Sequence, residues 1–175
     1  MSTVSLTLDE IFDLAKKTLL ANGCDDETAS ILSDLIRNAE RDGSLSHGLF
    51  RLPAYISGLK SGKINGKGKP EIKKISASVI KVQGNNCLAP VVLNKGLPEL
   101  AKAAKENGVA VLAINNSHHM AAMWPETEKL AEEGLVAFAC TSYKRCSSCW
   151  SNQTIIWNKS NFICMASTWK NSSGL

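Results

Sequence analysis

The sequence contains no apolar run that approaches the length of about eighteen residues needed to span a membrane. Its N-terminus has Asp9 and Glu10 early and lacks the basic and apolar regions of a signal peptide. These two absences predict a cytoplasmic protein without a membrane partner. The chain also lacks a strong net charge, since its formal charge of +4 is spread over 175 residues, which argues against nucleic-acid binding.

Several ligand-binding motifs are absent as well. There is no G-x-G-x-x-G segment after a predicted strand, so any nicotinamide site must be of a non-Rossmann kind. His118 and His119 lack a third ligand at metal spacing, and the C-x-x-C pair Cys146 and Cys149 has no second pair. We therefore predict no metal site and no redox dithiol.

Acidic residues are missing from the end of the chain. All 16 lie at or before Glu133, whereas three of the four Trp and three of the six Cys lie beyond residue 145. Helical and strand periodicity also fades beyond that residue. The segment beyond residue 145 therefore differs in composition and periodicity from the chain that precedes it.

What is present is a globular composition, with 44% hydrophobic and 21% charged residues, enough for one domain with a core. A capping box at Thr7 predicts a helix that runs to Asn22, and Asp25 can cap a second helix that ends near Gly43. A third helix should begin irregularly near Ser46, because Pro53 lacks an amide donor.

The glycine- and lysine-rich segment 61–70 is typical of a surface loop and marks the expected subdomain boundary. Beyond it, strands and helices alternate, which is the pattern of an α/β domain. The predicted strands are 72–76, 79–83, 109–114 and 135–140, and the predicted helices are 90–107 and 122–133.

A first candidate site is the run RDGSLSHGLFR at 41–51, between two predicted helices. His47 and Arg51 are four residues apart, so they would share one face of a helical turn, with Ser46 as N-cap beside them. Arginine grips carboxylates with two hydrogen bonds, and histidine exchanges a proton near neutral pH. The pattern suits reduction of a keto or imino acid. A histidine and an arginine at this spacing are, however, more often a structural histidine and a surface arginine than a catalytic pair.

A second candidate site is the polar run 115–122, between the strand 109–114 and a helix. Ligands bind at the carboxyl ends of strands in open α/β sheets, and free amides at a helix start favour phosphate. The small Ala121 and Ala122 would let a flat ring or a phosphate come near. Without other information, a polar turn with one buried histidine is the commoner explanation.

Both runs resemble the type-2 malate/L-lactate dehydrogenase family, a group of NAD(P)-dependent oxidoreductases unrelated to Rossmann dehydrogenases. The resemblance covers about residues 5 to 144, through RDGSLSHGLFRLPAYISGLKSGKING, GVAVLAINNSHHMAAMWPE and AEEGLVAF. The segment AAMWP at 121–125 resembles the branch that reduces Δ1-pyrroline-2-carboxylate and Δ1-piperideine-2-carboxylate. That favours a cyclic imine over malate or lactate as substrate.

The resemblance implies roles for the matching residues. His47 would donate a proton to the imine nitrogen with Ser46 as its relay partner, and Arg51 would hold the substrate carboxylate. The residues that would line the NADPH site are His119, Met120, Ala121, Ala122 and Met123. NADH is the alternative cofactor, hydride would pass to the carbon that bears the carboxylate, and family members are homodimers.

The chain also departs from the family. Family members are longer, and their relay aspartate lies in a region that has no counterpart in this chain. They carry a K-P-L-F-G-T-N-P-like segment where this chain has QTIIWNKS at 153–160. A one-nucleotide frameshift accounts for this, because residues 153–166 can be re-read as KPLFGTNPISYAWP with free choice at degenerate codon positions. We expect the region from about residue 145 to be out of frame.

The sequence therefore predicts an α/β fold with a helical N-terminal segment at 1–62 that carries the substrate and catalytic motif. Part of a non-Rossmann NAD(P)-binding sheet domain follows at 63–144, and 145–175 is a non-native tail. The expected activity is that of the N-terminal portion of a cyclic α-imino acid reductase, with this chain inactive by itself. Alternatives are a dehydrogenase of malate, L-lactate, ureidoglycolate or another 2-hydroxy acid, and an inactive fragment that only self-associates.

Overall fold

A computed structural model describes residues 4–118 and 121–141 and the backbone of 162–168. Three helices precede a small sheet whose strands alternate with two further helices, which confirms the predicted α/β class. The helices are α1 (Leu8–Ala21), α2 (Asp26–Arg41), α3 (Leu52–Lys60), α4 (Ala89–Asn107) and α5 (Trp124–Glu132). The strands are β1 (Glu71–Ser76), β2 (Val79–Gln83), β3 (Val109–Asn115), β4 (Leu135–Thr141) and β5 (Phe162–Thr168). No helix within the described ranges is long and apolar enough to cross a membrane.

The starts of the first two helices are fixed by the residues that the sequence indicated. Thr7 and Glu10 form the predicted capping box of α1, and the Asp25 carboxylate accepts the Thr28 N–H at 2.9 Å at the start of α2. Each bond satisfies an amide that the helix itself leaves without an acceptor. An apolar stripe at Ile11, Leu14, Ala15 and Leu19 would face the core of the fold, but Leu14 is 46% exposed and only the other three are buried.

The chain between α2 and α3 is irregular, as Pro53 predicted. Two 3-10 turns, Leu45–His47 and Leu49–Arg51, precede α3, and Pro53 lies in the first turn of that helix. Proline is tolerated there because its missing N–H has no acceptor at a helix start. Tyr55 then brings α3 into the helical core, where its side chain is fully buried.

The segment 61–70 is a loop, but it is not simply a surface loop. Ile64, Gly66 and Gly68 are buried, and a Cβ on Gly66 would lie 2.9 Å from the Gly23 carbonyl oxygen. The Gly66 carbonyl accepts the N–H of Asp25 at 3.0 Å. The loop therefore packs closely against the turn between α1 and α2, which the glycines make possible.

The sheet has the strand order β1-β2-β3-β5-β4. β2 and β3 are parallel, whereas β5 runs antiparallel to both of its neighbours, β3 and β4. β5 lies beyond residue 145, where helical and strand periodicity fades in the sequence. The proposed reading-frame origin of residues 145–175 is a separate matter and stays a prediction.

Two apolar clusters hold the fold. One joins α4 to the inner face of the sheet, and Gly96 lets the helix approach Leu112. The other joins α1, α2 and α3, with Leu88 at the start of α4 as a member. Ile31 of α2 packs against the sheet cluster, so the helical segment and the sheet are in contact.

Candidate active site

The first candidate site begins where α2 ends. Gly43 has a φ of +71°, a conformation that favours glycine, and reverses the chain after Arg41. The Ser44 N–H then donates to the Ala39 carbonyl at 2.8 Å, which attaches Ser44 to the last turn of the helix. The site is therefore built on a fixed helix end rather than on a free loop.

His47 closes the first 3-10 turn, because its N–H donates to the Ser44 carbonyl at 2.8 Å. Two hydroxyls reach its side chain: Nδ1 lies 3.1 Å from Ser44 Oγ and 3.0 Å from Ser46 Oγ. Ser46 is thus next to His47, but its predicted role as N-cap is wrong. Ser44 precedes the turn, and Ser46 lies within it.

His47 and Arg51 do not share a continuous helical turn. Gly48, with φ −85° and ψ −138°, separates the two 3-10 turns, so the predicted four-residue helical spacing does not apply. Gly48 is also required sterically, because a Cβ there would overlap the side chain of Glu40. That carboxylate accepts the N–H of Leu49 at 2.7 Å.

Arg51 has an unusual polar atom. In the described part of the chain its Nε is buried and has no hydrogen-bond partner. A guanidinium nitrogen without an acceptor is costly, and a carboxylate is the group that best matches its planar fork. Arg51 is therefore suited to hold a carboxylate ligand.

The second candidate site lies where the parallel strands β2 and β3 end. The N–H groups of Gly84 and Asn86 donate to the carbonyls of Asn115 and Asn116, both at 2.8 Å. Just beyond, Ser117 is 3% exposed, and neither its Oγ nor Asn115 Oδ1 has a partner in the described ranges. This edge of the sheet therefore holds buried polar atoms with unused hydrogen-bonding capacity.

The predicted cofactor segment continues from there. Ala121 and Ala122 are 5% and 2% exposed, so protein already covers the surface that was expected to lie open to a ring or phosphate. Met123 is 37% exposed. His119 and Met120 lie outside the described residues.

Trp124 joins the two candidate sites. Its ring meets the His47 imidazole edge-on, with centroids 5.9 Å apart and planes at 76°. The structure thus brings His47 next to the residue that follows the predicted cofactor segment. The sequence pattern indicated no role for Ser44 or Trp124, although Ser44 lies three residues before His47, which is the repeat of a 3-10 turn.

Charges around this junction are paired. The hydrogen bond from Arg41 lowers the pKa of Asp42 below its ordinary range, and a hydrogen bond from the Trp124 side chain acts in the same direction. Asp42 therefore stays ionised at neutral pH. Among the described residues no three His, Cys, Asp or Glu side chains lie close enough together to hold a metal ion.

Comparison with known proteins identifies the relatives of this arrangement. The chain is 38% identical over 144 residues to a Δ1-pyrroline-2-carboxylate/Δ1-piperideine-2-carboxylate reductase of Pseudomonas syringae pv. tomato, covering 82% of this chain and 42% of the relative. It is 36% identical over 139 residues to Δ1-pyrroline-2-carboxylate reductase 1 of Burkholderia ambifaria, covering 79% and 41%. The chain thus spans less than half the length of these relatives.

Solved structures agree. The crystal structure of Δ1-piperideine-2-carboxylate reductase from Pseudomonas syringae superposes with a TM-score of 0.75 at 39% identity, over 78% of this chain and 41% of that one. Malate dehydrogenase from Entamoeba histolytica gives 0.74 at 28% identity, over 80% and 39%. The sequence pattern of the malate/L-lactate dehydrogenase family matches residues 6–166. The chain belongs to the malate/L-lactate dehydrogenase family.

Proposed function

We propose that this chain forms part of an NADPH-dependent reductase that converts Δ1-pyrroline-2-carboxylate or Δ1-piperideine-2-carboxylate to the L-amino acid. The observation that carries the proposal is the buried Arg51 Nε, which has no partner among the described residues and lies one turn beyond a histidine that two serine hydroxyls approach. The names of the similar bacterial reductases support the choice of substrate.

In this proposal Arg51 binds the substrate carboxylate. An ionic hydrogen bond to the guanidinium would satisfy the buried Nε and orient the ring of the substrate. Lysine could supply the charge but not the two-pronged geometry. Arg51 therefore contributes to substrate binding and orientation.

His47 is the proposed proton donor. In its imidazolium form, Nδ1–H donates to a serine hydroxyl, and the Nε2 proton passes to the imine nitrogen as the adjacent carbon accepts hydride. His47 is left neutral, and the product amine carries the proton. NADPH, when bound, supplies the hydride.

The second candidate site fits a nicotinamide cofactor in part. Asn115 Oδ1 is a buried acceptor and Ser117 Oγ a buried donor or acceptor, and neither has a protein partner in the described ranges. Both lie at the strand ends where ligands bind in such sheets. With Met123, they would hold the cofactor, and His119, Met120, Ala121 and Ala122 remain proposed members of the site. NADH is the alternative cofactor, and the protein is proposed to be cytoplasmic and homodimeric.

A second candidate function is oxidation or reduction of a 2-hydroxy acid such as malate, L-lactate or ureidoglycolate. It is favoured by the structural likeness to the malate dehydrogenase of Entamoeba histolytica, with a TM-score of 0.74. Arg51 and His47 would serve a keto acid in the same roles.

A third candidate is a fragment that only self-associates. Val136 and Phe138 of β4 are 51% and 63% exposed. Exposed apolar side chains of this size favour association with another surface.

The test is a titration of NADPH followed by energy transfer from tryptophan. It is applied to the 175-residue chain and to a version whose residues from 145 onward are continued in the shifted reading frame. Turnover of pyrroline-2-carboxylate is compared with that of oxaloacetate and pyruvate, and light scattering gives the oligomeric state. Preference for the imine supports the proposal, preference for a keto acid supports the second candidate, and absence of NADPH binding in both versions overturns the cofactor assignment.

A further inference from the structure

We propose that Ser44 is a positioning residue for His47. The Ser44 hydroxyl accepts a hydrogen bond from Nδ1–H, so Nε2 is the nitrogen that exchanges protons. The inference rests on the proposed function of His47 as proton donor. It goes beyond that function, because the family resemblance names Ser46 as the relay partner of His47 and gives Ser44 no role.

Two hydroxyls compete for one nitrogen. Ser44 Oγ and Ser46 Oγ lie 3.1 Å and 3.0 Å from His47 Nδ1. A neutral imidazole has one N–H, and the hydrogen bond that this group makes decides which ring nitrogen carries the proton. The distances do not show which serine makes the stronger hydrogen bond to Nδ1, so the surroundings of each serine have to be compared.

Ser44 is the better anchored of the two. Its N–H is bonded to the Ala39 carbonyl at the end of α2, and its own carbonyl accepts the N–H of His47, each at 2.8 Å. Both the N–H and the carbonyl of Ser44 are therefore hydrogen-bonded, which fixes its backbone relative to the His47 imidazole. Ser46 lies inside the turn, immediately before His47 in sequence.

Ser44 is also the better shielded. It is partly buried, whereas Ser46 is exposed. Water competes for the hydroxyl of an exposed serine, whereas a shielded hydrogen bond retains more of its strength. The Ser44 bond should therefore dominate the choice of tautomer.

Trp124 restricts the remaining freedom of the ring. Its edge-on contact with His47, at 76° between the planes, restricts the plane of the imidazole. A ring turned over would offer a carbon rather than Nδ1 to Ser44. The tryptophan thus holds the plane of the ring, and the Ser44 hydroxyl favours the flip that points Nδ1 toward it.

The test uses nitrogen-15 NMR of the 175-residue chain without cofactor or substrate, at a pH where His47 is neutral. Its ring signals are assigned by comparison with His47→Gln. Wild type should have the proton on Nδ1. Ser44→Ala should lower the ratio of the Nδ1–H to the Nε2–H form by about 2- to 10-fold, the effect of one hydrogen bond. Ser44→Thr should restore the wild-type signals.

Ser46→Ala and the distant control Ser61→Ala should each change the ratio less than Ser44→Ala does. If Ser44→Ala does not fold, Ser44→Gly removes the hydroxyl at a φ of −87° that glycine readily adopts. A wild-type ring protonated on Nε2, or a larger change in Ser46→Ala, overturns the inference. Because no cofactor is present, these results are independent of the NADPH titration, which tests the proposed function separately.

Discussion

The carboxylate of Glu40 accepts the backbone N–H of Leu49 at 2.7 Å, a bond between residues nine apart that joins the last turn of α2 to the second 3-10 turn. Gly48 lies directly beneath this carboxylate, where a side chain would overlap it. His47 and Arg51 are on either side of Gly48. The Glu40 bond therefore sets the relation between the two residues proposed to handle the substrate.

Gly48→Ala should displace Glu40 and break its bond to Leu49. We expect the free energy of unfolding to fall by about 1.5–3 kcal/mol, the range for a hydrogen bond to a charged group. Urea denaturation measures it. Glu40→Ala should have a similar effect, and the double variant should lose less than the two single effects combined, because both act on one contact. Additive effects would contradict this.

Arg51→Met should raise the KM for pyrroline-2-carboxylate by about 10- to 100-fold, because a charged hydrogen bond is lost. Arg51→Lys should be intermediate, since it keeps the charge without the fork. Steady-state kinetics of the frame-continued version measures both. Arg37→Lys, which alters an arginine paired with Asp34 outside the site, is the matched control. An unchanged KM in Arg51→Met would contradict substrate binding by Arg51.

Asp25 should give the fold a dependence on acid pH. Burial alone would raise its pKa, but hydrogen bonds from Thr28 and the ion pair with Lys69 outweigh burial and lower the pKa from 3.8 to about 2. The resulting stability is complete above the unfolded-state value and is lost as the pH falls through about 2. Asp25→Ala should cost about 1–2 kcal/mol at neutral pH, as loss of a helix cap does.

The stability cost of Asp25→Ala should shrink when the free energy of unfolding is measured below the unfolded-state pKa of Asp25. The exposed pair of Asp26 with Lys16 provides the control, because Asp26→Asn removes a surface ion pair of little energetic value. A cost for Asp25→Ala that is the same at neutral and acid pH would show that the carboxylate charge is not what stabilises the helix.

The thiols should differ in reactivity. Burial raises the pKa of Cys24 to about 11, with Asp25 adding to the effect, and burial also raises that of Cys87. At mildly alkaline pH both remain protonated and covered, and only the thiolate reacts. Among these described thiols, iodoacetamide should label the half-buried Cys140 first, as peptide mapping would show. Equal labelling of all three in urea is the control.

Local chemistry explains which parts of the fold were predictable. Thr7, Asp25 and Pro53 act on amides within a few residues, so the starts of α1, α2 and α3 follow from sequence. β5 does not, because β3 and β4 select it as a partner through long-range pairing. Buried Gly66 likewise depends on the distant turn at Gly23, which no local pattern reveals.

The candidate site divides in the same way. Ser46 and His47 are neighbours in sequence, and their contact could be anticipated. The helical spacing expected for His47 and Arg51 failed because Gly48, with a ψ of −138°, is not helical and breaks the turn. The meeting of His47 with Trp124 depends on how α2 and α5 are placed in the fold, so the sequence contained no signal for it.

The position of β5 has a consequence for how the protein is assembled during synthesis. Of the strands described, β4 pairs with β5 alone, and β5 is the last to leave the ribosome. Until residue 168 has emerged, β4 has no strand to join, and the backbone edge of β3 that will receive β5 is unpaired. The nascent chain thus exposes two unpaired strand edges, where chaperones would bind or aggregation would begin.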